Sequence, residues 1–395
     1  MPTSRLVRSL LATVAVAAGG LVAAPTAQAA AGDPWVVSLG DSYISGEAGR
    51  WAGASNRSST TADALGAGAY LDAGSAESIP GCHRASSAQI HLGARYQSLN
   101  LACSGATTGT RTGSKFKPGL DFYDDGAGKV GQALALQREA RGRDVELVTV
   151  SIGGNDFGFA DVVTSCVLDF LGSSSLLPNY CFDDRSVKAN FTEANVAAVR
   201  ARIATALKNV RTAMRDAGHA DSSWTLLVQT YPSPLAEGAN LRYKQSGYSR
   251  QSVGGCGFWD ADADWANRTA MPTINGAVTG AVKDSGLTNA RVLDLSRAMD
   301  GRRLCEKGVG LYEEVGLSSW KDAAAVDRTE WINQIRTVST IAGPYQVQES
   351  IHPNYWGQLA IRSCVRQAFE GDRGGRCERS GTGLTSRGEP RMTLR

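Results

Sequence analysis

Histidine is scarce in this chain, with four in 395 residues, at His83, His91, His219 and His352. Any chemistry that needs an imidazole must use one of those positions. Charge of one sign is also lacking. The formal net charge is +3, so no long-range field gathers polyanions, and nucleic acid is not an expected partner. The eight cysteines contain no C-x-x-C, which argues against a zinc ribbon or a thioredoxin-like redox site. No internal repeat or linker divides the chain. Past the N-terminal segment, no apolar run reaches the roughly 20 residues of a membrane span. Asp260, Asp262 and Asp264 alternate as in a calcium loop, but Trp265 stands where that loop needs Gly and Met271 where it needs Glu. A solvated turn is expected there, and neither metal nor cofactor is implied.

The composition is that of a globular chain, 42% hydrophobic and 20% charged, with enough apolar material for one large core. Residues 1–29 carry Arg5 and Arg8, then an apolar stretch, then Ala27-Gln28-Ala29. That order reads as a secretory signal peptide, so the chain is expected to be secreted. Removing the segment lowers the net charge from +3 to +1, two arginines fewer. An even cysteine count in an exported chain suggests disulfides. Nearest-neighbour pairing needs the shortest loops: Cys82 with Cys103, Cys166 with Cys181, Cys256 with Cys305, and Cys364 with Cys377. A single domain is expected over 30–378, with long insertions near 49–96 and 306–348. The Arg-rich 379–395 is expected to be a flexible tail.

Strand-like runs recur at 35–39, 97–102, 145–152, 224–231 and 291–295. The intervals between the later ones are helical. The clearest is 191–217, where Val196, Val199, Ile203, Leu207, Val210 and Met214 recur at steps of three and four. Asn190 and Glu193 read as its capping box and Gly218 as its stop. Strands alternating with helices predict an α/β fold with a parallel sheet of about five strands covered on both faces. In the second insertion, Asp327 and Glu330 followed by Trp331, Ile335 and Val338 predict a short amphipathic helix, in the core or as a wall or lid over an apolar pocket. A final helix is expected after His352, with Pro353 as its first residue.

Ligands of parallel sheets sit beyond the carboxyl ends of the strands. Ser42, Gly105 and Asn155 all fall there. Ser42 in "GDSYISG" stands where a helix start would aim backbone N–H groups at developing negative charge. A Gly-Asp-Ser turn alone would read the same way. Gly105 in "LACSGATTG" lets a main-chain N–H approach a ligand, and Asn155 in "SIGGNDFGF" can donate from Nδ2. Asp41 and Asp156 are expected to be turn and cap residues. Among the histidines, His219 reads as a solvated turn residue, His91 has no partner in view, and His83 adjoins Cys82. His352 stands apart, in "QESIHPNYWG" at a loop-to-helix corner three residues after a carboxylate.

The four blocks "GDSY", "SGAT", "GGND" and "ESIH", in this order, resemble the GDSL or SGNH hydrolase superfamily. "GDSYISG", "GCHR" and "LACSGAT" are most similar to its secreted bacterial lipases and phospholipases. The G-x-S-x-G elbow of α/β-hydrolases is absent. The resemblance implies a flavodoxin-like α/β/α sandwich and a metal-free serine-ester mechanism. Ser42 would be the nucleophile, His352 the base, and Ser42, Gly105 and Asn155 the oxyanion hole. One position departs from the pattern. The superfamily's usual D-x-x-H is Glu349-x-x-His352 here, and a stem one methylene longer must fold back to reach the ring. Glu349 is the expected orienter, with a main-chain carbonyl or another acid such as Asp294 as alternatives. The expected substrates are lipid acyl esters, above all of phospholipids or lysophospholipids, met at lipid aggregates or membrane surfaces by a monomer. A carbohydrate acetyl esterase and a non-catalytic secreted binding protein are the competing readings.

Overall fold

Val36 and Val37 are neighbours in sequence and lie in two different cores. The same split divides Leu147 from Val148 and Leu227 from Val228, as alternating side chains do in a sheet buried on both faces. The computed structural model describes residues 32–337 and 344–395; the expected signal peptide lies outside them. The strands are β1 (Trp35–Gly40), β2 (Gln97–Asn100), β3 (Val145–Ser151), β4 (Thr225–Gln229), β5 (Ala290–Asp294), β6 (Gly375–Leu384) and β7 (Pro390–Leu394). Their order is β2-β1-β3-β4-β5-β6-β7. Pairing is parallel through β6, and β7 is antiparallel to β6.

The first five strands follow the flavodoxin-like order, which reverses direction between β1 and β3. That is the switch point at which doubly wound sheets open a crevice. Helices Gln132–Ala140, Glu193–Asp216 and Met271–Ser285 supply Leu136, Ile203, Leu207 and Val278 to one face. The other face is covered differently. One long helix, Tyr355–Glu370, packs there with irregular chain from the two insertions, which contributes Trp51, Leu92, Trp331 and Ile332. All four disulfides join the expected nearest neighbours.

Several local expectations are corrected. Residues 379–395 are not a flexible tail: β6 and β7 form a hairpin on the sheet edge, stapled through Cys364–Cys377, with Met392 and Leu394 buried. The long helix starts two residues later than the proposed capping box, because Thr192 accepts from the Asn195 N–H while Asn190 ends a preceding short helix. The 327–338 stretch is not an amphipathic helix. A four-residue helix ends at Arg328, Glu330 is buried against Arg242, and 331–336 form no helix; Val338 lies outside the described residues. Asp260–Trp265 opens a helix rather than a solvated turn, with Asp262 fully buried and accepting from the Phe182 N–H. Pro353 precedes the final helix, whose cap is Asn354. Among the described residues no helix is long and apolar enough to cross a membrane.

Candidate active site

β1 ends at Gly40 because nothing larger fits. A Cβ there would lie 1.9 Å from the Ser151 carbonyl oxygen, and its φ of +130° suits only glycine. Asp41 then caps the short helix Ser42–Ser45 by accepting from the Tyr43 N–H at 3.1 Å. Ser42 is therefore the first helical residue, where the N–H has no acceptor within the helix and the dipole favours negative charge.

The Ser42 hydroxyl lies 2.7 Å from Nε2 of His352, although 310 residues separate them. On the other side of the ring, Nδ1 is 2.8 Å from the Ser350 carbonyl oxygen. A carbonyl only accepts, so Nδ1 carries the proton of the neutral ring. Nε2 is left with a free lone pair facing Ser42. Glu349 does not touch the ring, contrary to expectation. Its carboxylate accepts from Trp51 Nε1 at 2.8 Å, Tyr70 Oη at 2.5 Å and the Gln346 N–H at 2.9 Å. The turn Val347–Glu349 directs this side chain back into the first insertion. Asp294 is also elsewhere, paired with Arg376 at 3.0 Å.

Burial holds the His352 pKa below the usual 6.5, opposed by the charge of Glu47 and the Ser350 carbonyl. Glu47 is fully buried, bound to His83 Nδ1 at 2.7 Å and to the Gln348 amide at 2.9 Å. Burial alone would raise its pKa, but the His83 contact holds it below the usual range. Asp41 behaves in the opposite way. Burial pushes it up to about 7, even though the Tyr231 hydroxyl donates to it.

The histidine loop is held from a distance. The Tyr43 hydroxyl donates to the Ile351 carbonyl at 3.0 Å. Residues 331–333 pair with the loop: Asn333 N–H to His352 O at 2.9 Å, Ile351 N–H to Asn333 O at 3.0 Å, and Asn354 N–H to Trp331 O at 2.9 Å. Ile351 has φ of +59°, rare for a β-branched residue and worth about 1–3 kcal/mol of strain. These contacts offset it.

Gly105, at φ +78°, and Asn155 flank Ser42 on the loops after β2 and β3. Asn155 Nδ2 donates to the Ala106 carbonyl at 2.8 Å, and Asp156 accepts from the Thr108 N–H and hydroxyl at 3.0 and 2.7 Å. Asp156 thus ties the two loops together rather than capping a turn, and the Cys82–Cys103 bridge anchors the first of them. Ser42, Gly105, Asn155 and His352 all line one cavity of about 570 Å³, whose apolar wall includes Phe159, Val163, Val167 and Leu168. The other histidines lie outside this group. His91 is 2.7 Å from the Ser98 hydroxyl, and His219 is bound to the Ala140 carbonyl.

Sequence reasoning passed over Tyr231, Glu47 and Asn333. Tyr231 lies two residues past β4, so the strand-end criterion that picked Ser42 could have found it. Glu47 and Asn333 carry no local mark, because their importance comes from contacts across the fold.

No protein-family model matches the chain. It is 34% identical over 166 residues to "Lipase 1" of Streptomyces coelicolor, covering 42% of this chain and 47% of that one. It is 33% identical over 173 residues to a Streptomyces rimosus "Lipase", covering 43% and 47%. These matches accompany the four ordered blocks and the 2-1-3-4-5 sheet. Over less than half of its length the chain is thus similar to Streptomyces lipases, in keeping with the resemblance of its four blocks to the GDSL/SGNH hydrolases. The chain spans about half the length of the curated relatives it matches. Among solved structures, a phospholipase A1 from Streptomyces albidoflavus NA297 is similar at 21% identity and a TM-score of 0.45, covering 85% of this chain and 99% of that one.

Proposed function

We propose that the protein is a secreted, monomeric serine ester hydrolase that cleaves acyl esters of lipids, phospholipid or lysophospholipid esters foremost, without metal or cofactor. The supporting observation is the Ser42–His352 contact of 2.7 Å at a cavity with an apolar wall. Nε2 of His352 takes the Ser42 proton as Oγ adds to the ester carbonyl, and the imidazolium stays bound through Nδ1 to the Ser350 carbonyl. The N–H groups of Ser42 and Gly105 and the Asn155 amide receive the oxyanion. As the tetrahedral intermediate collapses, His352 returns the proton to the leaving alcohol. Water then enters, gives its proton to the same nitrogen and releases the acid from the acyl-enzyme.

Phe159, Val163, Val167 and Leu168, spaced along the helix Phe159–Gly172, would take an acyl chain; an acetyl group needs no such wall. Beyond the cavity the apolar surface continues outward. Leu168, Leu176 and Leu177 are 61%, 89% and 82% exposed, on a stretch stapled by Cys166–Cys181. Leucines this exposed beside an apolar cavity suit contact with a lipid aggregate. The test is product analysis on a diacyl phospholipid, a triacylglycerol and an acetylated sugar side by side. Fatty acid released from the phospholipid supports the reading. Acetate from the sugar with no lipid cleavage replaces it with the carbohydrate esterase.

A further inference from the structure

Three cations line the cavity; Arg336 is stacked over the Tyr345 ring, while Arg111 and Lys117 stand beside the proposed oxyanion hole and the reaction scheme does not use them. Arg111 and Lys117 exchange main-chain hydrogen bonds of 3.0 and 2.9 Å across a small antiparallel bridge. Residues paired in this way project to the same side. One Arg111 nitrogen donates to the Gly105 carbonyl at 2.6 Å, and Lys117 Nζ donates to the Gly81 carbonyl at 2.5 Å. Those partners are neutral. Among the described residues neither cation is within ion-pair distance of a carboxylate, whereas most other arginines here are paired. A guanidinium carries five N–H donors and an ammonium three, so donors remain on both. Burial lowers the Lys117 pKa, as expected for an ammonium drawn out of water toward the cavity.

We propose that Arg111 and Lys117 form a subsite for the phosphodiester of the lipid substrate. This rests on the serine-hydrolase reading above. In a glycerophospholipid the phosphorus lies a few bonds from either ester carbonyl. With the carbonyl oxygen at the Gly105 N–H, the headgroup phosphate reaches the cation held on the Gly105 carbonyl. The acyl chain then extends the other way, along Phe159 and Val163. A triacylglycerol has nothing to offer the two cations, so the subsite makes the enzyme choose phospholipid over neutral ester.

The test uses the full chain and two monomeric substrates with the same short acyl chain, a phosphatidylcholine and a triacylglycerol. The quantity read is the ratio of their kcat/KM values, in the wild type and in the R111Q/K117Q variant. Hydrogen bonds to charged groups predict a fall in that ratio of about 10- to 100-fold. An unchanged ratio in a variant whose Ser42 is still labelled by fluorophosphonate overturns the subsite. The ratio also separates selectivity from damage, since a misfolded variant loses both activities equally. Fluorophosphonate labelling of the wild type separates the two ideas. With Ser42 labelled and the ratio unmoved, only the subsite fails. With Ser42 unlabelled, the hydrolase reading fails first.

Discussion

The two halves of the proposed catalytic pair are held in opposite ways. Ser42 is fixed by its own neighbourhood: a strand end, a glycine that nothing can replace, and an aspartate cap one residue away. His352 sits on a loop held at long range, by Tyr43 from the first motif and by Asn333 and Trp331 from the second insertion. The nucleophile is thus a local product of the sheet. The base is a product of the irregular layer that covers one face of it. The second insertion pairs with the main chain of the histidine loop, and the Ser350 carbonyl orients the ring itself.

The largest expected effects lie where the halves meet. Ser42→Ala and His352→Ala should each lower kcat by about 10⁴–10⁶-fold, and the double variant little further, because the two act as a unit. Additive losses in steady-state kinetics would mean that they do not cooperate. On the strand-borne side, Asn155→Ala should cost about 10²–10³ in kcat, or about 2.7–4 kcal/mol, if its amide receives the oxyanion. Near-normal turnover would remove it from that role.

The loop side should respond differently at its acid. Glu349 bonds to Trp51, Tyr70 and Gln346 and not to the ring. Glu349→Gln should therefore lower unfolding free energy in urea by about 1–3 kcal/mol while kcat changes only a few-fold. A fall of about 10⁴ in kcat, as when an orienting carboxylate is lost, would restore Glu349 as the orienter. The smallest effect concerns pH. His352 must be neutral to act as base, and burial holds its pKa below 6.5. The acid limb of kcat/KM should then have its midpoint below 6.5. Glu47 raises that pKa, so Glu47→Gln should move the midpoint lower still. A move upward would contradict the electrostatics described here.

The same contrast explains what could be read from the sequence. The central strands β1, β3 and β4 were legible because apolar runs with both faces covered leave a continuous mark. Ser42, Gly105 and Asn155 followed from their position just past strand-like runs. Disulfide pairing followed from loop length alone. The stretch 327–336 misled, because its helical spacing of Trp331 and Ile335 is overridden by main-chain pairing to the histidine loop and by the burial of Glu330 against Arg242. The C-terminal hairpin misled for the opposite reason. Its arginine-rich composition reads as solvated chain, and it becomes a strand because β5 offers an open edge and Cys377 is tied to Cys364. Alternation in "RMTLR" was the mark that could have shown it. The choice of Ser350 over Glu349 depends on Trp51 and Tyr70, some three hundred residues upstream, and no local pattern carries that information.

The central claim is that the His352 imidazole, oriented by a main-chain carbonyl, activates the Ser42 hydroxyl. Fluorophosphonate labelling read by peptide mass spectrometry tests it most directly. The account predicts the adduct on Ser42 in the wild type and its near-absence in the folded His352→Ala variant over the same time. An adduct on another residue, or labelling of Ser42 at the wild-type rate without His352, would contradict it.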